Sequence, residues 1–356
     1  MTNTDKKTKA QFLNKAVKHI DITSFDSTPI IDSMGEMSFS ARETAKAARL
    51  LEKMIKDKNC NIMLCITGST SAAGCMQIYS DMVKYNMADV VVASGAAIVD
   101  MDFFEALGFK HYKGTSNVND SKLRKLYIDR IYDTFIDEEQ LQICDETIKE
   151  IADSLEARVY SSREFIKKMG RYLAEGKAKK KGSLIQTAYE DNVPIFCPAF
   201  SDSSAGFGLV KHQVERIKKG KDYVSIDSIA DFRELTEIKI KSPATGLFMI
   251  GGGVPKNFAQ DTVICAEVLG KKVLPHKYAV QITVADVRDG ACSGSTLKEA
   301  SSWGKVEARE DNEQVVYAEA TSVLPLIVSY IYHKGNWQKR EKRNWSKKIQ
   351  AFKRHD

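Results

Sequence analysis

Four short apolar runs, each closed by a loop of small residues, constrain this chain more than any other feature. "NIMLCIT" (61–67) runs into "GSTSAAG", and "ADVVVAS" (88–94) into "GAAIVDMD". "TGLFMI" (245–250) runs into "GGGVPK", and "YAVQITVA" (278–285) into "DVRDGACSGST". Each run is too short and too apolar for a half-exposed strand, so each reads as a strand covered on both faces. Helical patterns such as "CMQIYSDMVKYN" separate them, which requires right-handed crossovers and a parallel sheet. A further strand is expected at 193–197, ahead of a polar loop at 198–207. The fold class is therefore α/β, a parallel sheet flanked by helices.

Helix starts are marked by side chains that satisfy free backbone N–H groups. Ser40 with Glu43, Asp137 with Gln140, and Ser161 with Glu164 each have capping-box spacing. "TLKEASSWGKVEA" is expected to begin another helix.

The 356 residues are 43% apolar, enough for a large core. No apolar run is long enough to cross a bilayer, and the first residues lack the apolar core of a signal peptide. Seven scattered cysteines, an odd number, read as reduced and mostly buried thiols of a cytoplasmic protein. No metal-ligand spacing is present, so no metal is assigned. Residues 1–20 read as a flexible or partner-contacting arm and 21–333 as the catalytic domain. Residues 334–356 hold nine Lys/Arg against two Asp/Glu, while the whole chain is only +6. That basic tail reads as a solvated helix or subunit contact. A polyanion contact is the other use, but without an aromatic-basic module a nucleic-acid role is not favoured.

Ligands of parallel sheets bind beyond the carboxyl ends of the strands. This points to loops 67–74, 93–100, 198–207 and 251–257, joined by 286–295 if its strand lies alongside. Gly68, Ser69, Ser94, Gly95, Asp100, Gly251 and Gly253 are the candidate cofactor residues there, since small residues let a diphosphate approach backbone N–H groups. The same loops also suit tight structural turns. Lys305 lies two residues after Trp303 and six after Glu299. A lysine amine can attack a carbonyl or imine once it loses its proton, and an apolar neighbour favours that loss. The bland alternative is a surface lysine whose stem covers a core tryptophan. Asp202, Asp286 and Asp289 stand in ligand loops but equally suit turns. Asp261 sits early on a helix. His212 and His276 are candidate proton carriers, but their contexts are unspecific and a structural or surface role is the favoured reading.

"EASSWGK", with "VKYNMADVVVASGA", "NVPIFCPAFSD", "FMIGGGVPK" and "YAVQITVADVRDG", resembles the deoxyhypusine synthase family, which includes the homospermidine synthases. The resemblance runs from about residue 15 to 335. It implies a Rossmann-like fold, NAD as cofactor, and homotetramers built from dimers with active sites at the dimer interface. It further implies oxidation of an amine carbon of spermidine, loss of 1,3-diaminopropane and capture of the remaining fragment as a lysine imine. An acceptor amine then displaces the lysine, and the reduced cofactor completes the product. By the same resemblance Lys305 is the imine-forming lysine and Trp303 packs the substrate. Glu299 and Asp202 are acidic substrate contacts, and Asp289, Gly251 and Gly253 bind cofactor.

Three positions depart from the family pattern. Asn257 stands where a catalytic histidine is typical, and Phe207 and Cys292 stand where carboxylates are typical. A dicationic or longer polyamine needs such acceptors when desolvated. The departures make a donor and acceptor changed from spermidine and protein lysine the favoured expectation, a small amine or another nonstandard acceptor, with a protein lysine kept as an alternative acceptor and Asp261 and Asp286 as candidate relocated negative charge. The leading expectation is NAD-linked aminoalkyl transfer to an amine acceptor. An NAD-dependent amine oxidoreductase or lyase, a noncatalytic binding homologue and a binder of nucleic acid through the tail are the competing classes.

Overall fold

The computed structural model describes residues 2–307 and 309–349. Its centre is a six-stranded, all-parallel sheet. The strands are β1 (Cys60–Ile66), β2 (Val90–Ala93), β3 (Ile195–Phe196), β4 (Ala244–Ile250), β5 (Tyr278–Thr283) and β6 (Glu313–Tyr317). Their spatial order is β6-β5-β4-β1-β2-β3. That is the Rossmann order, in which the chain reverses direction of travel between β1 and β4. The register there runs from Cys60↔Ala244 to Ile66↔Ile250.

Alternation explains the unbroken apolar runs. Ile62, Leu64, Ile66, Phe248, Ile250, Val280 and Ile282 join one core. Met63, Cys65, Leu247, Met249 and Ala279 join the core on the opposite face. Successive side chains of a strand point to opposite faces, so a sheet covered twice requires apolar residues at both parities. Helices Phe39–Lys56, Met76–Lys84 and Ala320–Lys334 contribute to the first core, while Leu235, Ile238, Ala259, Leu297 and Trp345 contribute to the second. No helix among the described residues is long and apolar enough to cross a membrane.

Several local expectations change. The Ser161–Glu164 capping box forms at helix Ser162–Tyr172. Asp137 caps Glu138–Asp153 by accepting from Glu139 N, without Gln140. Ser40 does not cap: helix Phe39–Lys56 begins before it, and its hydroxyl donates to Tyr317 O. The strand expected at 193–197 is only Ile195–Phe196. β6 was not foreseen, because its sequence "EQVVY" is polar and only Val316 is buried.

At the N-terminus, helix Asn3–Phe12 buries Lys9, whose Nζ lies 2.7 Å from Asp137 Oδ1. Residues 350–356 of the basic tail lie outside the described residues. The part up to 349 is not a solvated helix. Arg340 Nη2 donates to Asp89 Oδ2 at 2.7 Å and to Cys60 O at 3.1 Å, with the two side chains 5% and 1% exposed. Trp345 is buried and donates from Nε1 to Asn61 Oδ1 at 2.9 Å. The tail thus closes the amino ends of β1 and β2, opposite the carboxyl ends of the strands.

The buried thiols give the fold an alkaline limit. Burial pushes Cys60, Cys65 and Cys75 up to about 12, from an ordinary value of 9.0, and pushes Cys144 and Cys197 well up. The folded state keeps these protons after the unfolded chain has lost them. Their contribution is complete below pH 9.0 and is lost as pH rises toward 12. The loss is about 1.4 kcal/mol per thiol per pH unit. Lys239 and Lys256, pushed down to about 8 by burial, change stability the opposite way above that pH, but they are two groups against five. The expected result is a urea midpoint that falls between about pH 9 and about pH 11. A midpoint that stayed level or rose would contradict this burial.

Candidate active site

The loops after β1 and β4 meet where the sheet order reverses. Thr67 N donates to Ile250 O at 3.0 Å, and the Thr67 hydroxyl donates to Gly252 O. Gly252 must be glycine on steric grounds, since a Cβ there would lie 2.4 Å from Ser293 Cα. The loop carrying Ser293 therefore closes directly on the glycine turn. Gly68 has φ +81° and open space where a side chain would stand. Helix Gly253–Gln260 starts immediately beyond. The open space at Gly68 is the part of this turn that a dinucleotide diphosphate could approach, and the switch point is where Rossmann sheets bind such ligands. Thr67, Gly68, Ser69 and Gly251–Gly253 are the residues that could hold NAD.

Lys305 reaches the same edge through a short helix and a sharp reversal. Thr296 and Glu299 form a capping box at the start of Leu297–Ser302. Trp303 ends that helix, and Gly304, with φ +72°, turns the chain back. A left-handed residue there suits glycine, which has no Cβ to clash. The main chain of Lys305 is fixed by donation from its N to Ala300 O at 3.0 Å and from His276 N to its O at 2.9 Å.

The Lys305 side chain is largely buried, at 12% exposure, and points at the end of helix Gly253–Gln260. Its Nζ lies 2.6 Å from Asp261 Oδ1 and 3.3 Å from Asn257 Oδ1. Asn257 Nδ2 donates to Asp261 Oδ2 at 2.9 Å. The three side chains close a ring, possible because positions 257 and 261 share one helix face. Trp303 lies with its ring centroid 5.1 Å from Nζ. It does not wall off the amine, however, because it is 68% exposed. The expected apolar enclosure is replaced by an ion pair with Asp261.

Other candidates fall around this ring. Lys256 is buried and pushed down to about 8 by desolvation. Its Nζ donates to Cys292 O at 3.0 Å and to Ser295 Oγ at 3.1 Å, which pins the loop of exposed Cys292. Residue types alone did not mark Lys256, since a buried lysine and a surface lysine look the same in sequence. Glu299 Oε2 accepts from Thr296 N at 2.5 Å, and this hydrogen bond lowers its carboxyl below the usual range. Asp289 Oδ1 accepts from Ala291 N at 2.7 Å, and Asp286 pairs with Arg288 at 2.7 Å. Both carboxylates thus shape their own loop.

A second group sits at the ends of β2 and β3. Ser94 accepts from Ala97 N at 3.4 Å, and Gly95 packs on Ser203, 2.6 Å from where its Cβ would stand. Asp100 accepts from Ser204 N at 2.7 Å, and burial raises it to about 6. Asp202 is exposed, and Phe207 is 63% exposed on helix Ser204–Lys218. No hydrogen bond or ion pair among the described residues joins Asp100, Asp202 or Phe207 to Lys305. His212 is structural: Nε2 accepts from Val224 N at 3.0 Å, and Nδ1 lies 2.7 Å from Asp153.

Residues 29–331 match the family profile of deoxyhypusine synthase. A deoxyhypusine synthase-like protein of Caulobacter vibrioides is 66% identical over 339 residues, covering 95% of this chain and 92% of that protein. One from Chlorobaculum tepidum is 57% identical over 344 residues, covering 96% and 97%. A crystal structure from Entamoeba histolytica, provisionally called a deoxyhypusine synthase, superposes with a TM-score of 0.58 at 18% identity, covering 92% of this chain and 99% of the other. That likeness supports the fold, and the sequence matches carry the lineage: the chain belongs to the deoxyhypusine synthase family.

Proposed function

We propose that the protein is an NAD-dependent aminoalkyl transferase in which Lys305 carries the transferred fragment. The observation that supports this most is the Lys305–Asp261–Asn257 ring beside the glycine turn at the switch point. NAD, when bound, supplies oxidation of the donor amine carbon and later reduction of the product imine. Asp261 Oδ1 is placed to receive the proton that Lys305 must shed. The freed amine adds to the oxidised donor carbon, the amine already bonded to that carbon takes up a proton and leaves, and the carbon is left as an imine on Nζ. An acceptor amine attacks that carbon and displaces Nζ, so Lys305 returns unchanged. Asn257 holds Asp261 in line. It can accept or donate a hydrogen bond but cannot exchange protons as an imidazole does.

With Phe207 and Cys292 offering no carboxylate, the donor and acceptor are small amines carrying fewer cationic groups than spermidine. The exposed Trp303 and Phe207 faces fit burial by a second copy, in dimers that pair into tetramers. All seven cysteines are unpaired, in keeping with a reducing cytoplasmic setting.

The test is incubation with NAD and a panel of mono-, di- and polyamines, followed by borohydride and peptide mass spectrometry. The expected result is an alkyl adduct on Lys305 whose mass identifies the donor fragment. Bound NAD with no adduct from any amine would sink the proposal. Net NADH accumulation without transfer would instead identify an amine oxidoreductase.

A further inference from the structure

We propose that His276 is a positioning residue that sets the spacing between the Lys305 amine and the Asp261 carboxylate. The inference rests on Lys305 being the reactive amine, but its geometry and its test do not require turnover.

His276 is completely buried. Its main chain brackets the lysine: His276 N donates to Lys305 O at 2.9 Å, and Glu307 N donates to His276 O at 2.9 Å. Its ring reaches the other half of the pair, with Nε2 3.1 Å from Ala259 O. Ala259 lies between Asn257 and Asp261, where helix Gly253–Gln260 breaks before helix Thr262–Val268 begins. The Thr262 hydroxyl also donates to Ala259 O, at 2.7 Å. This carbonyl therefore anchors the break from which Asp261 projects. One residue grips both the segment carrying the amine and the turn carrying the acid.

The direction of each hydrogen bond is determined. A carbonyl only accepts, so Nε2 must carry the ring proton. Burial, reinforced by nearby Lys239, holds the ring well below its ordinary value and so neutral. Nδ1 must then accept, and its partner is Thr245 Oγ1 at 2.8 Å. That hydroxyl donates to His276 and accepts from Lys239 Nζ at 2.7 Å. The chain Lys239–Thr245–His276–Ala259 has one arrangement of protons, which orients the ring as an outer partner orients a catalytic imidazole. Packing alone does not require this: an apolar side chain would fill the space without holding Ala259 O.

Reductive methylation with formaldehyde and dimethylamine–borane reports how open each lysine is. Rates are read residue by residue by mass spectrometry at one neutral pH, with exposed Lys272 as internal control. Asp261→Asn is expected to speed methylation of Lys305 severalfold, because the amine loses the carboxylate that holds it at 2.6 Å. His276→Ala should act in the same direction by a similar factor. The double variant should exceed neither single variant, because both open the same pair. His276→Gln, whose amide N–H can still reach Ala259 O, should restore the slow rate. Thr245→Val, which removes the hydroxyl that sets the ring without truncating the histidine, should raise the rate even if His276→Ala fails to fold.

Wild-type Lys305 rates in folded His276→Ala and Thr245→Val, or strictly additive effects with Asp261→Asn, would overturn the proposal. No amine or NAD is needed for this readout. Failure of adduct trapping with the labelling pattern intact removes the transferase reading alone. Trapping with no labelling effect removes the positioning role alone.

Discussion

Lys305→Arg is expected to fold like the wild type and to lose amine transfer on the order of 10³-fold or more, the scale on which loss of a covalent nucleophile registers. Arginine keeps the positive charge and can still pair with Asp261, so the ion pair that organises the site survives. What it lacks is an amine able to give up a proton and form an imine. A purely electrostatic role for Lys305 predicts the reverse, with Arg tolerated and Met inactive. Measuring both variants for borohydride adducts and for product separates the two. Substantial transfer by Lys305→Arg would remove the imine from the mechanism while leaving the fold untouched.

Arg340→Ala is expected to destabilise the protein by about 3–5 kcal/mol, the cost of stranding a buried charge. Asp89 sits against Arg340 Nη2 at 2.7 Å, and its Oδ2 also accepts from Ile62 N at 2.8 Å. Without the guanidinium, that carboxylate stays in the interior with only an amide to satisfy it. Adding Asp89→Asn to the variant should recover part of the loss, because the stranded group is then neutral. Equilibrium urea unfolding measures both. A change below about 1 kcal/mol in Arg340→Ala would mean the pair is solvated and acts as a surface bridge.

The sequence makes the sheet easy to see and the site only partly so. β1, β2, β4 and β5 announce themselves because burial on both faces leaves few polar residues, Asn61, Thr245, Gln281 and Thr283, to blur them. Among the described residues β6 is an edge strand paired with β5 alone, and its Glu-Gln start with only Val316 buried carries no such signal. Lys305 and Trp303 could be singled out from spacing and resemblance. The exposure of Trp303 could not, since an indole beside a lysine suggests burial until the turn at Gly304 is seen. The partnership of Asp261 with Lys305 was hidden for the same reason as that of Arg340 with Asp89. Each joins residues far apart in the chain, and a charged side chain gives no sign of whether it meets water or an opposite charge. The buried chain through Lys239, Thr245 and His276 left only "LPHKY" as a trace.

The pairing of β1 with β4 also has a consequence for how this protein is made. β1 is at the centre of the sheet, yet the neighbour that covers its edge from Cys60 to Ile66 is translated only after two further strands of the sheet and their helices. Asp89 waits longer still for Arg340. A ribosome-bound chain therefore exposes an apolar strand edge and an unmatched carboxylate through most of synthesis. Such a chain closes late, by joining its two halves rather than growing from one end.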